Sequence, residues 1–480
     1  MLNIQWSRLS HLLGKFLIVL CLIIFSFAIW NSYWAIKEIL QIRTLISGPI
    51  IIFIMILLVL LSYLANKFLS RFTFILLLTV CAFTIRFIWI IKVPTPIESD
   101  FAVMYESAIQ AAKGDFSFTN SSYYTTWVYQ LGFTMYEAFI IKLFGDSTFI
   151  LKFLNILYCT GTTLFVYSIT SKIFNEWSGR IAGILYAFYI PSIMMSSILT
   201  NQHLATFLFY LGFYLLITRG LSSKYMWIFI GIILSFGDLM RPLGMLILLA
   251  VAIYFFLDGL LGKDKQTMLS TTKKLTGVII IFYTVHYLII ASFIAAGITK
   301  YPLSNRDPLW KFVLGFNHET KGTYSTEDAN HVMNLEIGEE RKAEEKKIIK
   351  KRLADKEKVL ELFGDKFSYM WGDIDASGYW SLGQLNKEKL KDKSMEYEKY
   401  IYVATMLFGV VGLLSLLVQN EKNLQYTLFL LLIIGYVCVH FLIEVQTRYR
   451  YFIIPSFFII QSYGIYVIHQ LIPKIFASKK

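Results

Sequence analysis

The sequence predicts an all-α polytopic membrane protein with about twelve transmembrane helices and one sizeable, mainly helical water-facing domain in its C-terminal third. Three observations carry that prediction. Of 480 residues, 56% are hydrophobic and only 16% charged, too little polar surface to cover a soluble globule of this size. Apolar stretches long enough to cross a bilayer recur along most of the chain. Aromatic residues make up 17%, with 30 Tyr and 40 Phe, as suits long membrane boundaries where amphipathic rings favour the headgroup layer.

The expected spans lie at roughly 16–35, 49–66, 72–92, 149–171, 180–198, 203–218, 226–237, 241–258, 275–297, 400–418, 424–443 and 451–471. Arg8 and Lys15 precede the first, as in a signal peptide, but no small-residue cleavage site follows, so it reads as a retained helix. The run at 226–237 stops at Gly237-Asp238 and is followed by Arg241-Pro242, which suggests two short helices meeting at a polar break. The stretch 126–144 is nearly long enough to span but carries Gln130, Glu137 and Lys142. If it spanned, the loops with Lys172 and Arg180, with Arg219 and Lys224, and with Lys263, Lys265, Lys273 and Lys274 would all face outward. As an interfacial helix on the outer face it puts them inside, together with Arg8, Lys15, Lys67, Arg71 and Lys479-Lys480. The expected topology therefore has both termini cytoplasmic, and the net charge of +13 reads as topology rather than as affinity for nucleic acid.

Four regions follow. Residues 1–70 form two N-terminal transmembrane helices; 71–297 form a transmembrane core with a first external loop at 93–148; 298–398 form an external soluble domain; 399–480 form a C-terminal three-helix segment. In the soluble domain the stretch Glu336–Phe363 reads as one amphipathic helix with Ile349, Leu353, Leu360 and Phe363 on a common face. The cysteines Cys21, Cys81, Cys159 and Cys438 all sit in apolar runs, which argues against a disulfide framework or a cysteine metal site.

The polar groups able to do chemistry collect on the expected external side. Glu98 and Asp100 follow Pro94 and Pro96 just past the third span, and the prolines stiffen that exit. A carboxylate held there suits a general base toward a hydroxyl. Asp100 is equally well placed to cap the helix that follows. Glu444-Val-Gln-Thr-Arg-Tyr-Arg450 sets two guanidinium groups and a tyrosine between the last two spans. Arg448 and Arg450 make a fork for phosphate there, or snorkel to lipid headgroups. Arg241 is a further phosphate ligand at the polar break, or the partner of Asp238 in a tight turn. Lys152, one turn into the fourth span, can join the same pocket or snorkel, and Arg86 is an intramembrane charge near the outer end of its span. Asn201 and His203 in one outer turn, and Asn317 early in the soluble domain, offer hydrogen bonds to a sugar. His318 and His331 lack partners at ligand spacing, so no cofactor is expected, with a divalent metal left open.

Taken in order, these features resemble one family. They are an acidic residue after an early helix, Tyr105 five residues on, an Ala-Xaa-Xaa-Gly run, an interfacial helix ending Lys-Leu-Phe-Gly145, a span opening Phe-Leu-Asn155, the Arg241-Pro242 break and the Glu444–Arg450 turn. From about residue 72 onward the chain is similar to bacterial GT-C membrane glycosyltransferases of family 39, related to protein O-mannosyltransferases and to the lipid A aminoarabinose transferase. The resemblance implies a GT-C-like core and inverting transfer of a sugar from a polyprenyl-phosphate-linked donor to an acceptor at the external face of the cell membrane. It implies Asp100 as base and Arg241, Arg448 and Arg450 as donor-phosphate ligands, which Lys152, by its place at the outer end of the fourth span, is expected to join. Glu98, Tyr105, Asn201, His203, Asn317, Glu444 and Tyr449 are the expected sugar or acceptor contacts. The acceptor would be an envelope glycan, lipid or protein, with the bilayer as the remaining partner and no nucleic acid.

Two departures stand out. Many relatives carry a second acidic residue where this chain has Asn201 and Gln202, and the two helices before residue 70 are additional. The rival reading is a transporter, flippase or ligase of lipid-linked sugars. Transporters usually gather polar residues at mid-bilayer, whereas here they collect at one face.

Overall fold

The computed structural model describes residues 2–38, 44–220, 223–260, 264–419 and 423–477. Among these residues the regular structure is helical, without strands, and Trp127 and Asn305 form an isolated antiparallel bridge. Lys263 and Lys479-Lys480 lie outside the described residues.

Helices stand at every expected span: Leu2–Glu38, Thr44–Phe68, Arg71–Lys92, Thr148–Ile173, Glu176–Ala187, Gln202–Thr218, Met226–Met240, Gly244–Tyr254, Lys265–Ala295, Glu388–Val418, Thr427–Leu442 and Ile454–Ala477. Among the described residues six helices are long and apolar enough to cross a bilayer, and four shorter apolar ones of 10–17 residues stand beside them. The chain is an all-α, multi-pass membrane protein. Short helices are tolerated at membrane depth where neighbouring helices satisfy their ends.

The span expected at 180–198 is not continuous. It breaks at Phe188-Tyr189 and resumes as Ile190–Met195, with Pro191 in the first turn. Proline supplies no N–H, so the carbonyl of Ala187 loses its helical donor. Arg86 replaces it. Its Nη1 donates to Ala187 O at 2.9 Å and Ala82 O at 3.0 Å, and its Nη2 to Tyr186 O at 3.1 Å and Ser192 Oγ at 3.0 Å. Arg86 is thus fully buried and closes a helix break instead of snorkelling.

The first N-terminal helix belongs to the bundle wall. Cys21 and Phe25 are buried, and the Phe25 ring lies 5.0 Å from that of Phe457. The second, Thr44–Phe68, keeps Ile52, Phe53 and Ile56 exposed, as a lipid-facing helix does.

Residues 131–144 form a helix of 14 residues, about 21 Å long and short of the ~30 Å hydrocarbon layer. It packs along Ser99–Ala112, as an interfacial segment would. Its Gly132 meets the end of Met226–Met240 so closely that a Cβ would lie 2.1 Å from Leu239 O.

In the 298–398 region the expected helix over Glu336–Phe363 is two helices, Glu339–Leu353 and Lys356–Phe367. Asp355 divides them, its carboxylate accepting from Glu357 N at 3.1 Å and Lys358 N at 3.2 Å as an N-cap. The bend separates the predicted face. Ile349 joins the Trp310 cluster, the Phe363 ring lies tilted 5.2 Å from that of Phe441, and Leu360 stays 70% exposed. Lys366 fastens the region to the bundle, donating to Gly315 O at 2.8 Å, Phe441 O at 2.7 Å and Ile443 O at 2.8 Å. Burial lowers this ammonium to about 7, and three carbonyls take up its three N–H bonds.

Candidate active site

Where the 298–398 region meets the bundle lies a cavity of about 570 Å³. Polar groups that line it include Asp100, Tyr129, Gln130, Asn201, Gln202, Arg241, Lys311, Glu444, Arg448 and Tyr449. Met245, Leu246, Leu249 and Val439 add apolar surface to the same lining. These residues come from ends of helices that are far apart in sequence, so the fold alone brings them together.

Asp100 reaches the cavity because the chain leaving the third span is pinned. Thr95 Oγ1 donates to Ser381 O at 3.0 Å and shares a 2.7 Å hydrogen bond with Ser197 Oγ, while Lys152 Nζ donates to Thr95 O at 2.8 Å. Helix Ser99–Ala112 then starts after Glu98, which occupies the cap position without a side-chain cap bond. Asp100 lies within the first turn and does not cap it, leaving its exposed carboxylate at the cavity.

Arg241 ends the helix Met226–Met240 in an extended conformation. Asp238 does not pair with it. The Asp238 carboxylate accepts from Gly244 N at 2.6 Å, starting the next helix, and faces His286 Nδ1 at 3.7 Å. Arg241 is therefore free to turn toward Tyr449, with its guanidinium carbon 5.2 Å from the ring centre.

Arg448 sits among aromatic faces, 4.8 Å from Trp380, 5.3 Å from Phe101 and 5.7 Å from Tyr449. Its Nε donates to Gln446 Oε1 at 2.5 Å. Glu444 is buried and ion-paired with Lys311, and also accepts from Gln446 Nε2 at 2.7 Å. Burial pushes the Glu444 carboxyl up, but Lys311, Gln446 and Arg448 outweigh it and hold it below the ordinary range. Burial pulls the Lys311 ammonium down, and Tyr449 with Glu444 outweighs this and holds it above. The cavity thus contains three cations and two carboxylates, one of which Lys311 already neutralises. Gln202 adds an acceptor, Oε1, that is buried and has no hydrogen-bond partner among the described residues.

Other expected site residues stand outside the cavity. Arg450 is fully buried, paired with Asp375 at 3.2 Å and donating to Asp373 O at 3.1 Å and Thr447 O at 3.2 Å. Lys152 supports the Asp100 loop. Glu98 accepts from Gln384 at 3.3 Å, Tyr105 donates to Asp146, and Asn317 donates to Asp328 at 2.7 Å. His203 Nδ1 shares a 2.6 Å hydrogen bond with Tyr451 Oη, and its Nε2 contacts Met195 O at 2.9 Å. Sequence reasoning missed Lys311, Tyr129 and Gln202 as cavity residues. Lys311 had one signal, its place in the apolar run Trp310–Gly315 within an otherwise charged region.

The arrangement can hold an anionic head between Arg241 and Arg448, keep an apolar tail along Met245 and Leu249, and present a carboxylate at the same end. No curated protein matches the chain. Over residues 133–290, which include Asn201, Gln202 and Arg241, the chain matches the family model of dolichyl-phosphate-mannose-protein mannosyltransferases, and this similarity supports a membrane glycosyltransferase of the mannosyltransferase type.

Proposed function

We propose that the protein moves a sugar from a polyprenyl-phosphate-linked donor to a hydroxyl of a cell-envelope acceptor, at the external face of the membrane and with inversion at the anomeric carbon. The observation that carries this reading is the convergence of Asp100, Arg241 and Arg448 on one cavity that the apolar side chains of Met245, Leu246, Leu249 and Val439 also line. A lipid phosphate needs both properties at once: cationic forks for its oxygens and a dry path for its chain.

In this mechanism Asp100 takes the acceptor's proton as its oxygen attacks the anomeric carbon. The new C–O bond forms while the bond to the phosphate oxygen breaks, and polyprenyl phosphate leaves with the electron pair. Arg241 and Arg448 stabilise the charge gathering on that phosphate, an interaction strongest in the transition state. Gln202 and Asn201 bind sugar hydroxyls. Where a second carboxylate is replaced by these amides, a single base does the proton transfer.

The test is Asp100→Asn, assayed with a polyprenyl-phosphate sugar. Turnover is expected to fall by about 10²–10⁴-fold, the range for loss of a general base, with donor binding retained. Unchanged turnover, or equal loss of donor binding, would overturn the assignment. A transporter would have no special need for this carboxylate.

A further inference from the structure

The Asp100 cavity has a smaller neighbour, of about 250 Å³. The two share Tyr129, Pro242 and Asn305, and the smaller one is lined further by Asp238, His286 and Ser304. These residues come from the turn Val128–Gln130, the end of Met226–Met240 with the break after it, the helix Lys265–Ala295 and the segment that follows it.

The fold uses the polar groups of this cavity only in part. Asp238 Oδ1 accepts from Gly244 N at 2.6 Å, whereas Oδ2 faces His286 Nδ1 at 3.7 Å, too far for a hydrogen bond. The Asp238 and His286 side chains keep 16% and 21% of their surface exposed, so both are open to a ligand. A carboxylate beside Nδ1 favours the tautomer with its proton there, which makes Nε2 an acceptor. Among the described residues nothing donates to that nitrogen. Asn305 Oδ1 accepts from Asp307 N at 3.0 Å. The Asn305 amide N–H bonds and the Tyr129 hydroxyl have no hydrogen-bond partner among the described residues. Among the same residues no lysine or arginine lines the cavity.

We infer that this smaller cavity binds a neutral sugar unit of the acceptor. Acceptor atoms on Asp238 and His286 and donors on Asn305 and Tyr129 are all matched by adjacent sugar hydroxyls, because each hydroxyl both donates and accepts. A serine or threonine side chain brings one hydroxyl and would leave most of these groups unpaired. A phosphate would meet the Asp238 carboxylate without a lysine or arginine to hold it. Through the shared Tyr129 and Asn305, the bound sugar stands next to the cavity where Asp100 is proposed to take a hydroxyl proton. That the sugar belongs to the acceptor rests on the proposed transfer; that the cavity binds a sugar does not.

The test uses the full-length protein in a detergent without a sugar headgroup, with the methyl glycosides of glucose, galactose and mannose at millimolar concentration, read by saturation-transfer NMR. Binding of at least one glycoside is expected. H286F keeps a flat ring beside Phe282, whose ring is stacked on His286, but removes both nitrogens. It should weaken binding about two- to tenfold, the usual effect of one lost hydrogen bond. Ser304 is exposed, so S304W should fill the cavity from its surface and abolish binding. Should S304W not fold, H286F alone decides. Absence of binding by all three glycosides, undiminished binding by H286F, or preferential binding of N-acetylthreonine amide overturns the inference. A polyprenyl-phosphate sugar is then added. Glycoside binding without transfer to the glycoside would count against the reaction proposed at Asp100 and leave the sugar site standing. Transfer to the threonine probe without glycoside binding would keep that reaction and overturn the site.

Discussion

The guanidinium carbon of Arg241 lies 5.2 Å from the centre of the Tyr449 ring, joining the break after Met226–Met240 to the turn before the last helix. The contact holds the Arg241 guanidinium against the Tyr449 ring in the cavity that Asp100 and Arg448 also line. Arg241→Ala is expected to lower kcat/KM for the lipid-linked donor by about 10²–10³-fold, the usual effect of removing one preorganised transition-state donor. Arg241→Lys should recover only part, because an ammonium neither stacks on the ring nor grips two oxygens. Tyr449→Phe should be nearly silent, whereas Tyr449→Leu should cost about fivefold through loss of the cation–π contact. Steady-state kinetics over a range of donor concentrations check all four.

Glu444 is 3% exposed and depends on Lys311, which comes from more than a hundred residues earlier in the chain. Removing the lysine leaves a buried carboxylate unpaired. Lys311→Met is expected to destabilise the protein by about 2–4 kcal/mol, reduced from the fully buried case because the lysine is partly exposed. The double variant Lys311→Met/Glu444→Gln should regain most of that loss. A double-mutant cycle of thermal melts measures the coupling, and additive effects would remove the pair from the stability of the site.

The arginines show how far a sequence can be read. Arg241 and Arg448 are legible because a guanidinium at a helix break or between two apolar spans has few places to go. Arg450 has the same neighbourhood in sequence, yet the tight helical turn Thr447–Phe452 sends it to the opposite side, where Asp375 awaits it. That partner lies 75 residues upstream, beyond any local pattern. The interfacial placement of 126–144 is an expectation drawn from the distribution of loop cations, whereas the spans were legible as apolar runs. The break at Pro191 was not, because Arg86 supplies the compensating hydrogen bonds from another helix. Lys311 was hidden for a similar reason: its place in the apolar run Trp310–Gly315 sets it apart from the other lysines, but only tertiary packing brings it to Glu444.

Glu345, buried in the 298–398 region, supplies a prediction about pH. Burial and the neighbouring Asp307 raise its carboxyl to about 8, against the opposing pull of Arg341. Between its ordinary value near 4.5 and about 8, the folded protein keeps a proton that the unfolded chain has released. Stability from this group is therefore present in acid and declines as pH rises through that window. Glu345→Gln keeps the neutral form at every pH, so the apparent melting temperature should depend less on pH between 5 and 8 than in the parent. At pH 8 the variant should melt several degrees higher. Parallel slopes for the two proteins would show that Glu345 does not govern the response.

Asp115 and Lys265 test the sidedness that the proposed reaction requires. Asp115 lies in the exposed loop that follows helix Ser99–Ala112, and Lys265 is the first residue of Lys265–Ala295. Both are exposed, so cysteines at these positions should react readily without disturbing the core. In a background lacking Cys21, Cys81, Cys159 and Cys438, a membrane-impermeant maleimide added to intact cells should label Asp115→Cys and spare Lys265→Cys until the membrane is opened. By the positive-inside rule the end that carries Lys172, Arg219 and Lys274 is expected in the cytoplasm, with Asp100 outside, and the labelling pattern tests that expectation. Labelling of both positions from one side would contradict the bundle itself. The reverse pattern would instead retain the bundle and move the reaction to the cytoplasmic leaflet, where the envelope acceptor is absent.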